Sequence, residues 1–456
     1  MASARRISVT GFGVRWLGRP LSRSVPFVVL GSAVLATAAT IGLGPTLAVA
    51  LVFLTAFLLT SVLIIAAAPA RLRLALVFAM VLRFGAALVD QLVVQLPLSG
   101  EDTVWFQQMA LGLMSTPAMD IILELPTGSA LWYTLIALFY QLVGVNELGL
   151  ALLLAFLSFL TVRVVAAAAD DLGGGRAALL AAWLFALMPM QIVISAATLR
   201  EAVIVLVAAL AVRAISRYGA HRPVLGVAWS TVSVMIAGFL HTGMLGALLG
   251  PFWLGLEQAR RKRFVYATAF VAGFSILISA VVWIERTGAG LDYVGGSLSN
   301  VDLDLVTDRN TVGARGGLAY LSGVQPDTPL AYGATLPLRS VYFWFAPFPW
   351  HVRVVEHLLG LVDAVILFGL ALIVARGRRT LFGKLAGRAL IALILGFMLV
   401  YAAGVSNAGT AIRHRHKAVP ALVVLAAVAA AERRTSAAAL ARDSVTLVRE
   451  PVRRQA

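Results

Sequence analysis

Residues 46–68 read TLAVALVFLTAFLLTSVLIIAAA, without a single charge, and Pro69-Ala70-Arg71-Leu72-Arg73 follows them. An α-helix rises about 1.5 Å per residue, so the stretch can cross a hydrocarbon core of roughly 30 Å. Within that core a helix satisfies every backbone N–H and C=O from a single segment. The stretch therefore reads as a membrane-spanning helix, and its basic flank marks the end held inside.

The same pattern recurs outward in both directions. Apolar blocks bounded by polar breaks lie near 24–43, 46–68, 74–97, 149–167, 178–196, 202–218, 224–239, 242–257, 264–284, 355–375, 385–404 and 418–432. Of the 456 residues 60% are apolar and 13% charged, and the mean hydropathy is +0.92. Ordinary soluble domains are about 45–50% apolar and about 25% charged. A soluble enzyme, a disordered chain and a disulfide scaffold are excluded, and the expected fold is an all-α polytopic membrane protein of about twelve spans. The absence of cysteine removes disulfides, thiolate metal sites and thiol nucleophiles. Ala- and Arg-rich usage suggests a high-GC bacterium and, with the spans, its inner (plasma) membrane.

The net charge of +16 does not indicate nucleic acid. The basic residues sit in short clusters between apolar blocks, as membrane orientation requires. Residues 1–23 carry Arg5, Arg6, Arg15, Arg19 and Arg23 and form a cytoplasmic N-terminus ahead of a retained anchor. Placing Arg71, Arg73, Arg213, Arg217, Arg222, the run Arg260 to Arg263, Arg376, Arg378, Arg379 and the tail from Arg433 on one side sets a topology with both termini cytoplasmic. That count holds if Ser129–Gly144, short and carrying Trp132, Tyr133 and Tyr140, lies interfacially or re-enters. The organisation is then a basic terminus (1–23), two additional helices (24–73), a core (74–284) with outer loop 98–148, an outer loop or lid (285–354), C-terminal helices (355–432) and a basic tail (433–456). The second loop ends in the aromatic-proline run 342–350, read as an interfacial anchor or a lipid-binding lip.

Several residues depart from a purely topological pattern. Arg413-His414-Arg415-His416-Lys417 falls on the outer side, against the orientation rule, where a bound phosphate or pyrophosphate would compensate it. Ordinary anionic headgroups would do the same. Arg200-Glu201 opens the sixth span: the carboxylate suits a helix N-terminus, whereas the guanidinium suits a ligand or a carboxylate partner. Glu101-Asp102, ahead of Trp105-Phe106, supplies a carboxylate for general-base work or a solvated loop acid. His241 lies at an outer turn, near a site or capping the turn. Arg83 and Asp90, seven apart on one helical face, are expected to pair inside the membrane. Gly173-Gly174-Gly175-Arg176 lacks the lysine of a phosphate loop, and no metal-ligand spacing occurs. Asp302, Asp304 and Asp308 leave a divalent cation open, with a solvated loop the alternative.

One order of motifs resembles a known group. Asp102 in the first outer loop precedes a Trp/Tyr-rich short helix ending Leu142-Val143-Gly144-Val145-Asn146, then Arg176 to Trp183, Leu187-Met188-Pro189 and Ser195 to Glu201. This order is similar to membrane glycosyltransferases of the GT-C superfamily, in the protein mannosyltransferase and aminoarabinose transferase branch. The tail Ser406 to Arg415 resembles relatives from polysaccharide clusters. The resemblance implies a polyprenyl-phosphate-linked sugar donor, inverting transfer to an acceptor glycan, lipid or protein, and membrane lipids but no nucleic acid as partners. Carried onto this chain, it makes Asp102, with Glu101 beside it, the base, and Arg413, Arg415 and more weakly Arg200 the phosphate ligands; His414 and Lys417 join them as part of the same basic run, with Glu201 and His241 nearby. The chain departs from the branch in its two extra N-terminal helices, in Glu124-Leu125-Pro126-Thr127 where His-Pro-Pro is common, and in the adjacency of its acids. A polymerase or ligase of lipid-linked oligosaccharides, depending on outer arginines and a histidine, is a second reading. A lipid or solute transporter, or a non-catalytic subunit, is a third.

Overall fold

The computed structural model describes residues 44–123, 125–219, 221–261, 319–321, 324, 328–353 and 355–433, with the isolated positions 33 and 37. The blocks read near 24–43 and 264–284, the run 260–263 beyond Arg261, Asp302, Asp304, Asp308 and both termini lie outside the described residues.

The chain enters through α1 (Pro45–Ala67) and α2 (Ala70–Leu92), separated by Ala68 and Pro69 in extended conformation. The first loop holds three short helices, α3 (Glu101–Gly112), α4 (Ala118–Leu123) and α5 (Gly128–Val143). Next come α6 (Glu147–Ala186), α7 (Pro189–Ala196), α8 (Glu201–Tyr218) and α9 (Pro223–Leu240). A 3-10 segment (Thr242–Leu248) leads into α10 (Leu249–Arg261). The C-terminal part comprises α11 (Pro329–Phe345), α12 (Val355–Arg376), α13 (Arg378–Gly383), α14 (Leu385–Gly404), α15 (Ala408–Arg415) and α16 over 419–433. Six of these helices are long and apolar enough to cross a membrane: α1, α2, α6, α9, α12 from His357, and α14. The described residues form an all-α membrane protein.

At 40 residues α6 would extend about 60 Å if straight, twice the hydrocarbon core. It does not run straight. Gly174 has φ 75° and ψ −175°, a conformation that disfavours any residue with a Cβ, and the helix reverses there. The guanidinium of Arg83 proves the reversal: Nε donates to Ser158 Oγ at 2.9 Å, while Nη2 and Nη1 donate to Phe185 O (2.9 Å) and Ala186 O (3.2 Å). Residues 27 positions apart in one helix reach one side chain only if its two arms lie side by side. The block expected at 178–196 is correspondingly broken between Ala186 and Pro189, because proline brings no N–H to continue the ladder.

Arg83 and Asp90 do not pair with each other. Arg83 satisfies the carbonyls left open where α6 ends. Asp90 Oδ1 accepts from Leu96 N at 2.7 Å and Oδ2 from Gln91 Nε2 at 2.9 Å, which turns the chain out of α2 and into α3. The segment expected along the interface is α5, sixteen residues and so about 24 Å, shorter than the core. Two of its three belt aromatics, Trp132 and Tyr140, point into the protein instead. The block read as one helix over 242–257 begins as the 3-10 segment, and part of the second loop forms α11. Residues 414–429 are buried throughout, so α15's end and most of α16 are enclosed on every side, as expected for a helix apolar around its circumference.

Candidate functional site

Three connections meet where α2, α8, α9 and α14 end or begin. The first is the junction 197–200 between α7 and α8. Thr198 ties it to the first loop: its Oγ1 accepts from Gln107 Nε2 at 3.3 Å and its carbonyl from Trp132 Nε1 at 3.2 Å. The second is the α9 exit at His241, where Arg200 Nη1 donates to Leu240 O at 2.7 Å. The third is α15, whose N-cap Asn407 accepts from Gly409 N at 2.8 Å. Tyr320 fixes that segment from outside, its N–H on Ser406 O and its hydroxyl on Val405 O, both at 2.9 Å.

The five residues of the basic run separate into two sets, because consecutive positions on a helix turn point about 100° apart. Arg413 and Lys417, four apart, face the α7–α8 junction. Arg413 forms an ion pair with Asp102 Oδ2 and lies 3.4 Å from Glu201 Oε1. Lys417 Nζ lies 3.6 Å from the same Glu201 oxygen, 2.9 Å from His414 Nδ1 and 3.5 Å from Tyr401 Oη. Tyr401 Oη is 2.9 Å from His241 Nδ1, and the His241 and His414 rings meet edge to face with centroids 4.6 Å apart. Gly243 permits this approach, since a Cβ there would lie 2.6 Å from the Tyr401 ring. If the ammonium of Lys417 donates to Tyr401, the tyrosine hydroxyl donates to His241, and both imidazoles accept at Nδ1.

Burial grades across the cluster. The Asp102 side chain is 55% exposed and Arg413 20%, whereas Glu201 and Lys417 are 1% or less. Burial is also the leading influence on the bases. It holds Lys417 well below the ordinary lysine range, reinforced by Arg200 and Arg413 and opposed by Glu201. Burial, then Lys417 and the neighbouring cations, hold His241 and His414 well below the ordinary histidine value.

Arg415 and His416 point the opposite way. Arg415 donates to Asp363 Oδ2 from Nε (3.1 Å) and Nη2 (2.6 Å), and to the carbonyls of Trp344, Ala346 and Gly360. His416 Nε2 reaches the same carboxylate oxygen at 3.0 Å, while Gln191 Nε2 donates to His416 Nδ1 and its carbonyl. Arg415, His416 and Asp363 are wholly buried. The guanidinium expected to bind phosphate is therefore occupied as the link between α15, α12 and α11.

An apolar cavity of about 680 Å³ opens among α11, α12, α14 and α16, lined by Leu336, Trp344, Phe345, Ala371, Met398 and Leu422. Trp344 links the cavity to the buried Arg415–Asp363 pair, because its carbonyl is one of those that hold Arg415. The aromatic run is thus divided: Phe343 and Trp344 are buried, and Trp350 is largely exposed.

The structure brings together Asp102, Arg413, Glu201, Lys417, Arg200, His241 and His414, and leaves Arg415 apart. The Glu101 side chain lies outside the described residues, although its backbone starts α3. Sequence reading missed Tyr401 and Asp363. Tyr401 is one of the aromatics in an apolar helix, but Asp363 is an acid within an apolar block, a signal for a buried partner. Among the described residues no group of three His, Cys, Asp or Glu is placed to hold a metal ion. No family model matches the chain, and no curated protein or solved structure matches it either.

Proposed function

We propose that the protein is an integral membrane glycosyltransferase of the GT-C kind, with twelve spans and both termini in the cytoplasm of a bacterial cell. It transfers a sugar from a polyprenyl-phosphate donor to an acceptor hydroxyl on the extracytoplasmic face. The observation that carries this reading is the contact of Asp102 with Arg413 across 311 residues of sequence, backed by Glu201 and Lys417. A partly exposed carboxylate and a cation suited to phosphate share one site at the mouth of a buried polar cluster.

The chemistry follows from those positions. A donor phosphodiester seats on Arg413, whose guanidinium matches phosphate oxygens, and so displaces Asp102 from the ion pair. The released carboxylate takes the proton of the acceptor hydroxyl as its oxygen attacks the anomeric carbon. The bond from that carbon to the phosphate oxygen breaks on the opposite face, and the lipid phosphate leaves with one more negative charge. Positioned cations facing that charge are the main catalytic contribution. Arg415 takes no part in phosphate binding, given its ties to Asp363.

Asp102→Asn keeps the shape of the site and removes the base. Transfer from polyprenyl-phosphate sugars in membrane vesicles is expected to fall at least 100-fold, on the order of what a general base contributes, with unchanged thermal unfolding. Full activity in that variant sinks the assignment. The polymerase or ligase reading depends on a histidine, and His414 and His416 are 2% and 0% exposed, which favours the transferase.

A further inference from the structure

We propose that Lys417 is the proton acceptor of an anion-binding site: seating a phosphodiester on Arg413 draws one proton from solvent onto Lys417 Nζ. The inference rests on the reading of Arg413 as a phosphate ligand and adds a linkage which that reading does not contain.

The argument begins with the charges facing Lys417 from each packed element. Glu201 and Arg200 face it from the α7–α8 junction, Tyr401 from α14, His241 from the α9 exit, and Arg413 and His414 from α15. Glu201 is the carboxylate within 4 Å of Lys417, and its oxygen Oε1 is shared with Arg413. Among the described side chains, with Lys417 charged, Arg200, Arg413 and Lys417 stand against Asp102 and Glu201, which leaves one positive charge in excess. With Lys417 neutral the charges cancel. Wholly buried, the amine has little solvent to stabilise a charge, so the neutral amine, accepting or donating within its contacts to His414 and Tyr401, suits the empty site.

A phosphodiester brings one negative charge. It enters a site that is neutral with Lys417 unprotonated, and protonation of Nζ restores the balance. The proton comes from bulk solvent and lands on the nitrogen lone pair; the diester keeps its own charge. During transfer the phosphate gains a second negative charge, and the protonated amine stands ready behind Glu201 and Arg413. Lys417 is a positioning residue here, because Glu201 and Arg413 lie between it and the exposed Asp102.

The sequence makes the test direct, since Lys262, Lys384 and Lys417 are its three lysines. The full chain, labelled biosynthetically with ε-13C-lysine and held in nanodiscs, gives one resonance for each. Loss of a signal in K262R and in K384R assigns the other two. The probe is farnesyl methyl phosphodiester, a monoanion across the working pH range, so any proton taken up belongs to the protein. The expected result is a Lys417 resonance that titrates well below the other two in the empty protein and at least one pH unit higher with the diester bound. Diester affinity should then rise up to tenfold for each unit of falling pH between the two midpoints. K417M should bind the diester with an affinity independent of pH over that window. A diester that binds while the Lys417 midpoint stays fixed overturns the inference and leaves the phosphate reading intact. Failure of the diester to bind at all removes the phosphate reading, and the inference with it.

Discussion

The bundle keeps charges at both ends, under opposite physical conditions. At one end Arg71 pairs with Asp170, Arg213 with Asp171 and Lys384 with Glu432, each pair within reach of water; Arg71 and Asp170 are 47% and 46% exposed. At the other, Arg413, Lys417, Glu201, Arg415 and Asp363 share carboxylates among several cations, and Arg415 and Asp363 are 0% exposed. Exposed pairs contribute about 0–1 kcal/mol each. Buried clusters need desolvation to be offset by complete hydrogen bonding, and they persist where structure or function requires a charge. The same residue types thus form water-accessible pairs at one end and a candidate site at the other.

The largest expected effect comes from breaking the buried end. Asp363→Ala strands Arg415 among carbonyls and should cost about 3–5 kcal/mol, read as a lower midpoint of thermal unfolding in detergent. A loss under 1 kcal/mol would equate the two ends and dissolve the contrast. Next comes the pH response. His241 and His414 are held well below the ordinary value of 6.5, through burial first and then the surrounding cations. The unfolded chain therefore binds more protons below that value, and stability falls as pH drops through it. The slope approaches about 1.4 kcal/mol per pH unit for each imidazole. A series of unfolding midpoints from neutral pH downward checks this, and the slope should flatten in an H241N/H414N double variant.

The exposed end should give smaller changes. Gly174→Ala forces a Cβ into φ 75°, ψ −175° at the α6 reversal, a loss of about 1–3 kcal/mol by thermal unfolding. Arg71→Ala removes one side of an exposed pair and should cost under about 1 kcal/mol, erased by high salt. A larger, salt-independent loss at Arg71 would show that this end, too, is structural.

How much of this was legible in the chain differs by kind of residue. The charge-free run over 46–68 made α1 a certainty, and Gly174 lay in plain view between two apolar blocks. The basic run between two apolar blocks directed attention to Arg413 and Lys417. It also suggested Arg415, because five adjacent residues give no sign of which way each one faces. The expected Arg83–Asp90 pair failed for a related reason: shared helical face is a local property, whereas the better partners of Arg83 were carbonyls about 100 residues away.

By itself the sequence determined that the chain lives in a membrane and where most of its long apolar helices fall, and it singled out a carboxylate and a basic run. Those conclusions rest on backbone hydrogen bonding and transfer energies, which depend on composition within a window of about 20 residues. Only the tertiary structure decided that Asp102 meets Arg413, that Glu201 serves both Arg413 and Lys417, and that Asp363 withdraws Arg415 from the site. Desolvation and electrostatic pairing act through space over a few ångströms, and the partners come from segments up to 311 positions apart.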